Sequence, residues 1–302
     1  MSKSITKINA AITKKIKGPF VTTKLLLEGP NANEILIRII AASICQTDLH
    51  TKNEGLCNFP IVLGHEASGI VEKIGNKITE FKVGDHVILS YDYCGKCNQC
   101  NLNKPTYCEQ HGPLNFSGHR PDGRKTHKTL NSNSPDVYGS FFQQSSFATY
   151  AIAHESNTIK VDKSLPLDLL APLGCGIQTG AGTIFNTLNL KSKDTIAIFG
   201  CGGVGLSAIM AANIIGTKNI TAIDTNNNRL LAAKEFGATH TILPNKTEDS
   251  KTLKNLILSA NKENKYNYSL DTTGIPQVLA QATNCCGPLG VTAMIAPNNP
   301  GT

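Results

Sequence analysis

The stretch Thr195-Ile-Ala-Ile-Phe-Gly200-Cys-Gly-Gly-Val-Gly205 decides the fold of the second half of the chain. It begins with an apolar, partly β-branched run, which predicts a short buried strand. A glycine-rich turn follows at once, and residues 206–215 have the composition and length of a helix. A second apolar run at residues 220–223 ends on Asp224. Strand, glycine turn, helix, strand and terminal acid, in that order, predict a dinucleotide-binding unit.

Each glycine of this turn suits one requirement of dinucleotide binding. Gly200 permits a tight turn, Gly202 lets the backbone approach a pyrophosphate, and Gly205 lets helix and strand pack closely. Gly203 and Val204 complete the turn, where the N–H groups and the positive end of the helix would face the phosphates. We therefore predict that all of these residues bind the cofactor.

The acid at the end of the second strand indicates which dinucleotide is bound. Asp224 comes nineteen residues after Gly205, a position that suits the two ribose hydroxyls of NAD and repels the extra phosphate of NADP. The alternative role for Asp224 is the N-cap of a helix at residues 226–236, and one residue could do both. Arg229 could reach the ribose or a phosphate, which leaves NADP as an alternative, or it is a solvated helix residue.

The composition of the whole chain indicates a globular protein of two domains. Its 302 residues are 40% hydrophobic, and no run approaches the roughly 18 apolar residues of a membrane span. Residues 1–17 contain five lysines and no apolar segment, which predicts a cytoplasmic protein without a secretory signal. The net charge of +7 comes from scattered lysines, and tryptophan is absent. We expect a basic surface that binds neither nucleic acid nor a membrane.

Ten cysteines in such a chain favour metal binding or catalysis over disulfides. Four of them lie in one short lobe at residues 91–110: Cys94, Cys97, Cys100 and Cys108. Four thiolates in a compact loop make a closed tetrahedral shell, which predicts a structural zinc that clamps the loop. An iron–sulfur cluster and disulfides are the alternatives, although the spacing fits the cluster patterns poorly.

Other candidate ligands lie far apart in the sequence. Cys45 stands in the segment Ser43-Ile-Cys45-Gln-Thr47-Asp-Leu-His50, His65 is followed by Glu66, and Cys175 stands between two glycines. Each of them alone is more often a structural residue. Together, Cys45, His65 and Cys175 form a two-thiolate, one-imidazole set, the kind of catalytic zinc shell that keeps its fourth position open.

These pieces together resemble the zinc-dependent medium-chain alcohol dehydrogenase family. They come in the family's order and separations: the Cys45-Gln-Thr-Asp box, Gly64-His65-Glu66 with Gly69 and Gly75, the four-cysteine lobe, Gly174-Cys175-Gly176, and the turn from Gly200 to Gly205. The stretch at residues 174–182 also resembles the aryl (benzyl) alcohol dehydrogenase branch. The resemblance implies an α/β plus β protein. A GroES-like, β-rich catalytic domain would occupy residues 1–162 and a Rossmann domain residues 163–302, with the active site in the cleft between them.

The resemblance also implies roles for single residues. Cys45, His65 and Cys175 would hold the catalytic zinc, and Glu66 would lie beside the metal and coordinate it transiently. Thr47 takes the hydroxyl position next to the reacting oxygen, and His50 takes the end of the proton relay. On the cofactor side, Thr179 would lie near the nicotinamide, and Gln46 occupies the position of a pyrophosphate contact.

The function implied is reversible oxidation of a primary, aromatic (benzyl-type) alcohol to its aldehyde. Each chain would hold two Zn²⁺ ions, one catalytic and one structural, and would transfer hydride to NAD. Two alternatives remain. One is a glutathione-dependent formaldehyde dehydrogenase, which has the same metal set, and the other is an inactive zinc- or NAD-binding remnant.

The end of the chain departs from the family pattern. Strands are predicted at residues 240–243, 266–270 and 291–296, which brings the second domain to five where a full Rossmann sheet has six. We expect a chain that lacks the last strand and the segment returning to the catalytic domain. The homo-oligomer of full-length relatives is then doubtful, because the open strand edge invites aggregation. In the first domain, strands are predicted at 22–27, 34–42 and 146–153, with an irregular loop at 109–140.

Overall fold

The computed structural model describes residues 5–131, 133–245 and 249–295. Its contacts divide the chain into two compact units, Met1–Cys175 and Gly176–Thr302. The sequence predicted a division after residue 162, earlier than the one observed. Residues just beyond 162 stay with the first unit because they are hydrogen-bonded to it. Ser68 Oγ donates to the carbonyl of Leu167, and Ser90 Oγ donates to the carbonyl of Gly174 at 2.7 Å.

The first unit is mostly antiparallel sheet. Its strands are β1 (Ile5–Thr13), β2 (Phe20–Glu28), β3 (Glu34–Ala42), β4 (Ile61–Val62), β5 (Ala67–Ile74), β6 (His86–Leu89), β7 (His127–Thr129), β8 (Tyr150–His154) and β9 (Thr158–Val161). Its helices are α1 (Gln46–Glu54), α2 (Asn98–Asn101), α3 (His111–Phe116) and α4 (Leu167–Leu170). The described residues form one sheet in the order β4-β1-β2-β7 and another in the order β8-β3-β5-β6-β9.

Strand β3 links the two sheets of this unit because it buries side chains on both faces. Ile35 and Ile37 point into one core with Val71 of β5. Leu36, between them, points into the other core with Leu27 of β2. Successive side chains of a strand point to opposite faces, so this uninterrupted apolar run can serve both cores.

The segment at 109–140, predicted as an irregular loop, contains α3 and β7 and is anchored by a buried arginine. Arg120 is 1% exposed. Its Nε and Nη2 donate to the two carboxylate oxygens of Glu34 at 2.8 and 2.9 Å, and its Nη1 donates to Glu28 at 2.8 Å. Such a bidentate ion pair is a strong contact. It fixes a segment whose composition gave no periodic signal.

A buried histidine extends this ion-pair network. His154 Nδ1 lies 3.0 Å from an oxygen of Asp92, and its Nε2 lies 3.8 Å from Glu34. Burial lowers the pKa of His154, but the hydrogen bonds to Asp92 and Glu34 outweigh it and raise the pKa to about 9. Burial likewise raises the pKa of Glu34, yet the hydrogen bonds from His154 and Arg120 outweigh it and lower the pKa to about 2. His154 and Glu34 are therefore both charged at neutral pH.

The second unit alternates strands and helices. Its strands are β10 (Thr195–Phe199), β11 (Asn219–Ile223), β12 (His240–Ile242), β13 (Tyr266–Asp271) and β14 (Cys286–Met294). Its helices are α5 (Gly176–Gly182), α6 (Gly203–Ile215), α7 (Asn227–Glu235), α8 (Ser250–Ser259) and α9 (Pro276–Cys285). The strands of the described residues form one parallel sheet in the order β12-β11-β10-β13-β14, the order expected of a Rossmann sheet.

The central strand β10 is buried on both faces, as is usual in a parallel sheet. Ile196 and Ile198 pack against Ala208 and Ala212 of α6 on one side. Phe199 packs against Ile257 of α8 on the other side. The sequence of β10 is continuously apolar because both faces of the strand are buried.

Two predicted strands differ clearly from the structure in where they begin. The fifth strand of the parallel sheet was predicted at 291–296 but begins at Cys286, and residue 296 lies outside the described residues. The strand predicted at 146–153 begins only at Tyr150, because the residues just before it bond to other main chain: Ala148 forms an isolated bridge with Ala10 of β1, and the N–H of Phe147 donates to the carbonyl of Leu63. Within the described part of the chain, every helix is too short or too polar to cross a membrane.

We expect His154→Gln to change how stability depends on pH. Because the folded-state pKa of His154 lies above the ordinary value, its stabilisation is complete below about pH 6.5 and is lost as the pH rises through about 9. The free energy of unfolding of the native chain should therefore fall by about 3 kcal/mol more than that of His154→Gln between about pH 6 and about pH 10. Urea unfolding curves measure this difference. Equal pH dependence in both proteins would contradict the assignment.

Candidate active site

Four residues that are distant in the sequence converge in the first unit. Cys45, His65, Glu66 and Cys175 each offer one ligand atom, and these atoms all lie within 4.8 Å of one another. Cys45 is the N-cap residue of α1, His65 and Glu66 directly precede β5, and Cys175 follows a short 3₁₀ turn. The structure thus brings together the set that the sequence predicted for a catalytic metal.

A buried carboxylate orients the histidine of this cluster. Asp48, which is 0% exposed, places Oδ1 at 3.0 Å from His65 Nδ1. The same oxygen accepts the N–H of Gly64 at 3.0 Å, and Oδ2 accepts the N–H of Cys45 at 3.0 Å. His65 Nε2 is buried and has no hydrogen-bond partner among the described residues. With Nδ1 occupied by Asp48, Nε2 is the atom that could bind a metal ion.

Asp48 is a residue that the sequence reasoning missed. It stands inside the quoted Cys45-Gln-Thr-Asp box, but nothing in a linear sequence says that its carboxylate reaches His65. The feature of the sequence that could have identified Asp48 was its position three residues after Cys45. On the first turn of α1, this position places the carboxylate next to the N–H of Cys45.

The surroundings also set the charges of two ligands. A hydrogen bond from Cys175 and the neighbouring His65 together outweigh burial and lower the pKa of the Cys45 thiol to about 3. Burial lowers the pKa of His65, but the hydrogen bond to Asp48 and the nearby Cys45 sulfur outweigh it and raise the pKa to about 10. The thiolate is the form of cysteine that binds metals. The donor set of two sulfurs and one imidazole nitrogen fits zinc.

Glu66 and the predicted relay residues lie around the same cluster. The Ser43 hydroxyl donates to the Glu66 carboxylate, which is 4% exposed. Thr47 Oγ1 lies 3.6 Å from Cys45 Sγ, so the structure brings the predicted hydroxyl next to a predicted ligand. His50 is half-buried one turn further along α1, and Gln46, the first residue of this helix, is exposed.

The four cysteines of the lobe form a second cluster. Their sulfurs all lie within 4.8 Å of one another, with 4.0 Å between Cys94 and Cys100 and 4.0 Å between Cys97 and Cys108. A tetrahedron with Zn–S bonds of about 2.3 Å has S···S edges of about 3.8 Å. All ten cysteines lie among the described residues, and none of them forms a disulfide. The spacing therefore fits a zinc ion and excludes a disulfide in this lobe.

The hydrogen bonds of the lobe are those of a thiolate shell. Backbone N–H groups of Cys94 and Gln110 donate to the Cys108 sulfur at 3.3 and 3.4 Å, and the N–H of Cys97 donates to the Cys94 sulfur at 3.3 Å. Backbone hydrogen bonds lower the pKa of Cys97 to about 6, whereas burial and the neighbouring cysteines raise that of Cys100 to about 12. Because like charges repel, all four sulfurs ionise together only when a cation lies among them.

The glycine turn of the second unit has the geometry that the sequence predicted. Gly200 has a φ of +88°, and a Cβ there would lie 2.4 Å from Thr272 Oγ1. A Cβ on Gly205 would lie 1.9 Å from the carbonyl oxygen of Gly200, so this glycine permits the close approach of helix and turn. At Gly202 and Gly203 a Cβ would meet nothing within 4 Å. Backbone at these two positions therefore borders open space at the start of α6, where a phosphate could approach the N–H groups.

Asp224 supports this turn from the end of β11. Its Oδ2 accepts the N–H of Cys201 at 2.7 Å, and its Oδ1 accepts the N–H of Asn226 at 2.8 Å. The alternative role of Asp224 as the cap of the next helix is wrong, because Asn226 caps α7 by accepting the N–H of Asn228 at 2.9 Å. A carboxylate has about four lone-pair sites, so Asp224 retains capacity for ribose hydroxyls. Arg229 Nη1 lies 3.7 Å from Asp224 Oδ2.

Helix α5, which carries Thr179, packs closely on the helix that follows the glycine turn. A Cβ on Gly180 would lie 2.1 Å from the carbonyl of Val204, and Ser207 Oγ donates to the carbonyl of Ile177 at 2.6 Å. The carbonyl of Thr179 accepts the hydroxyl of Thr183 at 2.8 Å. These contacts fix α5 beside the first residues of α6.

Both halves of the chain match known families. Residues 31–163 match the family described as Alcohol dehydrogenase GroES-like domain, and residues 203–301 match the family described as Zinc-binding dehydrogenase. The chain is 41% identical over 295 residues to the geraniol dehydrogenase of Castellaniella defragrans, an alignment that covers 96% of this chain and 77% of that protein.

The chain belongs to the zinc-dependent alcohol dehydrogenase family. The S-(hydroxymethyl)glutathione dehydrogenase of Saccharomyces cerevisiae is 35% identical to this alcohol dehydrogenase over 287 residues, covering 93% of the chain and 72% of the relative. The crystal structure of benzyl alcohol dehydrogenase from Acinetobacter calcoaceticus aligns with a TM-score of 0.90 at 41% identity, covering 98% of this chain and 79% of that one. These findings confirm the predicted oxidoreductase class and its GroES-like and Rossmann domains.

Two substitutions in the glycine turn of this dehydrogenase should separate cofactor binding from folding. Gly202 has an ordinary φ of −75°, and its missing Cβ would meet no protein atom within 4 Å. Gly202→Ala should therefore keep the melting temperature while weakening dinucleotide binding on the order of 10-fold, or about 1.4 kcal/mol. Fluorescence titration with NADH and with NADPH measures the affinity.

Gly205→Ala is the matched control, because its Cβ would meet the Gly200 carbonyl at 1.9 Å. It should destabilise the protein by about 3 kcal/mol. Native affinity of Gly202→Ala for both dinucleotides would contradict the phosphate assignment.

Proposed function

We propose that this dehydrogenase oxidises primary, benzyl-type alcohols to aldehydes with NAD as the hydride acceptor. The convergence of Cys45, His65 and Cys175 carries the proposal, because two sulfurs and one nitrogen leave a position open for substrate. Zinc held there supplies Lewis acidity, which lowers the pKa of an alcohol hydroxyl. In the net reaction, the substrate loses a hydride to the nicotinamide and a proton to solvent.

The roles of the chain's own residues follow from their positions. Cys45, His65 and Cys175 hold the ion, and Asp48 fixes the ring of His65 so that Nε2 faces it. The Thr47 hydroxyl, next to the Cys45 sulfur, would accept the substrate proton while it gives up its own to the relay. The imidazole of His50 passes that proton to solvent. Glu66, held by Ser43, is the carboxylate that would coordinate the ion transiently.

The remaining sites have supporting roles. Cys94, Cys97, Cys100 and Cys108 hold a structural zinc, since four sulfurs leave no position for substrate. The residues that bind the dinucleotide are Gly200, Gly202, Gly203, Val204, Gly205, Asp224 and Arg229, together with Thr179 and Gln46. The negative charge of Asp224 supports NAD over NADP, since it repels a 2′-phosphate. A cytoplasmic location and the oligomeric state stay predictions.

Aromatic rings pack around the imidazole of the proposed metal ligand His65. The ring of Phe142 lies 4.5 Å from the ring of His65, and that of Phe141 lies 5.6 Å from it. Phe116 packs on both phenylalanines at 5.2 and 5.8 Å. Phe141 and Phe142 are buried, so these rings form a packed cluster that helps to hold His65 in place. The aromatic substrate is supported instead by the likeness to the benzyl alcohol dehydrogenase.

A glutathione-linked formaldehyde oxidation is the second candidate, supported by the relative from Saccharomyces cerevisiae. A substrate panel separates the two. With NAD, benzyl alcohol should give a kcat/KM at least about 10-fold higher than S-(hydroxymethyl)glutathione, a difference of about 1.4 kcal/mol in transition-state binding. NADH absorbance follows the reaction, and NADP in place of NAD tests the cofactor. A preference for the glutathione adduct would favour the second candidate, and a preference for geraniol would contradict the aromatic substrate.

Cys45→Ser tests the metal site directly. Loss of a thiolate ligand should reduce benzyl alcohol oxidation roughly 100-fold or more and lower zinc content from two ions per chain toward one. Cys285→Ser is the control, because Cys285 is a buried free cysteine that belongs to neither cluster. Zinc content by mass spectrometry and turnover should be native in this control. Undiminished turnover of Cys45→Ser would reject the site.

A further inference from the structure

A fully buried glutamine joins two pieces of main chain next to the metal cluster. Gln144 is 0% exposed. Its Nε2 donates to the carbonyl of His65 at 3.0 Å and to the carbonyl of Ser90 at 2.9 Å. Two carbonyl oxygens can only accept, so the amide nitrogen must face them. Its Oε1 has no hydrogen-bond partner among the described residues, so this side chain is held by the two bonds that it donates.

The second of these bonds continues toward another metal ligand. Ser90 follows β6, and its hydroxyl donates to the carbonyl of Gly174 at 2.7 Å. Gly174 directly precedes Cys175, and a Cβ on it would lie 2.1 Å from the carbonyl of Leu89. The main chain before Cys175 is therefore pressed against the end of β6. Two side chains thus bridge the main chain of His65 and the main chain before Cys175.

The turn that carries Gln144 is strained. Phe142, Gln143 and Ser145 have φ values of 52°, 49° and 51°, in the left-handed region that residues with a side chain rarely adopt. Strain of this kind persists only where the surroundings enforce it, and it is common at functional sites. Here the Ser145 hydroxyl donates to the carbonyl of Val62 at 2.6 Å, and Asn157 Nδ2 donates to the carbonyl of Phe142 at 3.0 Å.

The same turn places two groups against His65. The ring of Phe142 lies 4.5 Å from the imidazole, while Gln144 binds the main-chain carbonyl of the same residue. His65 is thus held at its ring by Phe142 and Asp48 and at its main chain by Gln144.

We propose that Gln144, through Ser90, is a positioning residue that fixes the spacing between His65 and Cys175. The inference rests on the zinc site assigned under Proposed function. His65 and Cys175 are 110 residues apart in the chain, so their separation depends on contacts of this kind. Groups that orient metal ligands without touching the metal contribute about 10- to 100-fold in metal affinity. Removing the bridge should therefore loosen the ion.

The neighbouring glutamine offers a matched control. Gln143 is 4% exposed, and its Nε2 also donates to two carbonyls, those of Leu114 at 2.7 Å and His119 at 3.2 Å. Neither carbonyl belongs to a residue of the metal cluster. Gln143→Met and Gln144→Met remove the same kind of buried bonds from the same turn. Only Gln144→Met removes the bridge between His65 and Ser90. If the role of Gln144 were merely structural, both variants would have the same effect on zinc release.

The experiment compares zinc release from the two sites of the full chain. Zinc-loaded protein is challenged with EDTA and iodoacetamide, and alkylation of each cysteine is followed by peptide mass spectrometry. In Gln144→Met, protection of Cys45 and Cys175 should be lost roughly 10- to 100-fold faster than in the native chain. In Gln143→Met, the rate should stay within about 2-fold of native. The four cysteines of the lobe serve as an internal reference. Their alkylation rate should stay native in both variants.

A second variant tests the bridge as a unit. Ser90→Ala removes the bond to Gly174, and it should also speed the loss of protection at Cys45 and Cys175. The double variant with Gln144→Met should release zinc no faster than Gln144→Met alone, because each change breaks the same connection. Equal rates for Gln143→Met and Gln144→Met, or native rates for Gln144→Met and Ser90→Ala, would overturn the bridge. If zinc fails to protect Cys45 in the native chain, the proposed metal site itself fails, which is a distinguishable result.

Discussion

The hydrogen bonds of one buried carboxylate hold the proposed metal site together. Asp48 binds the ring of His65 through one oxygen and the backbone of Cys45 through the other. A single side chain therefore fixes two ligand residues that are twenty positions apart in the chain. It also leaves His65 Nε2 as the free nitrogen and raises the pKa of the ring. A buried carboxylate is costly unless it is fully paired. Three donors satisfy the carboxylate of Asp48, and the proposed metal site depends on that arrangement.

The candidate site of the first unit is built from side chains, whereas that of the second unit is built from main chain. In the first unit, side chains from a helix start, a strand start and a short turn meet at the metal cluster, and the four-cysteine lobe is stabilised separately. In the second unit, the backbone itself makes the candidate phosphate site, because the absence of side chains at Gly202 and Gly203 leaves open space. Loss of a ligand side chain in the first unit should therefore weaken metal binding, whereas a methyl group added to the glycine turn should weaken dinucleotide binding.

Sequence reasoning located the strand–turn–helix unit and the cysteine cluster because each of them is a continuous local pattern. The apolar run of β10, the glycine turn and Asp224 form one continuous signal, and the cysteine lobe is compact in the sequence itself. It failed where contacts are distant. Nothing in the sequence distinguishes Asp48 and Gln144 from other polar residues, and only the fold places them next to His65. The segment at 109–140 has no periodicity because Arg120 anchors it to Glu28 and Glu34, about 90 residues earlier, through ion pairs. The late start of β8 follows from long-range main-chain bonds, because Ala148, just before it in the predicted strand, bridges to Ala10 of β1.

The central claim is that Cys45, His65 and Cys175 share one zinc ion through two sulfurs and Nε2. Anomalous diffraction at the zinc absorption edge, on crystals of the native chain, tests it most directly. We predict two zinc peaks per chain, one among the four cysteines of the lobe and one bonded to Cys45, His65 and Cys175. The bond lengths at the second peak should be about 2.3 Å to sulfur and about 2.0–2.1 Å to His65 Nε2. A peak in the lobe alone, or a second ion bound without His65, would contradict the account.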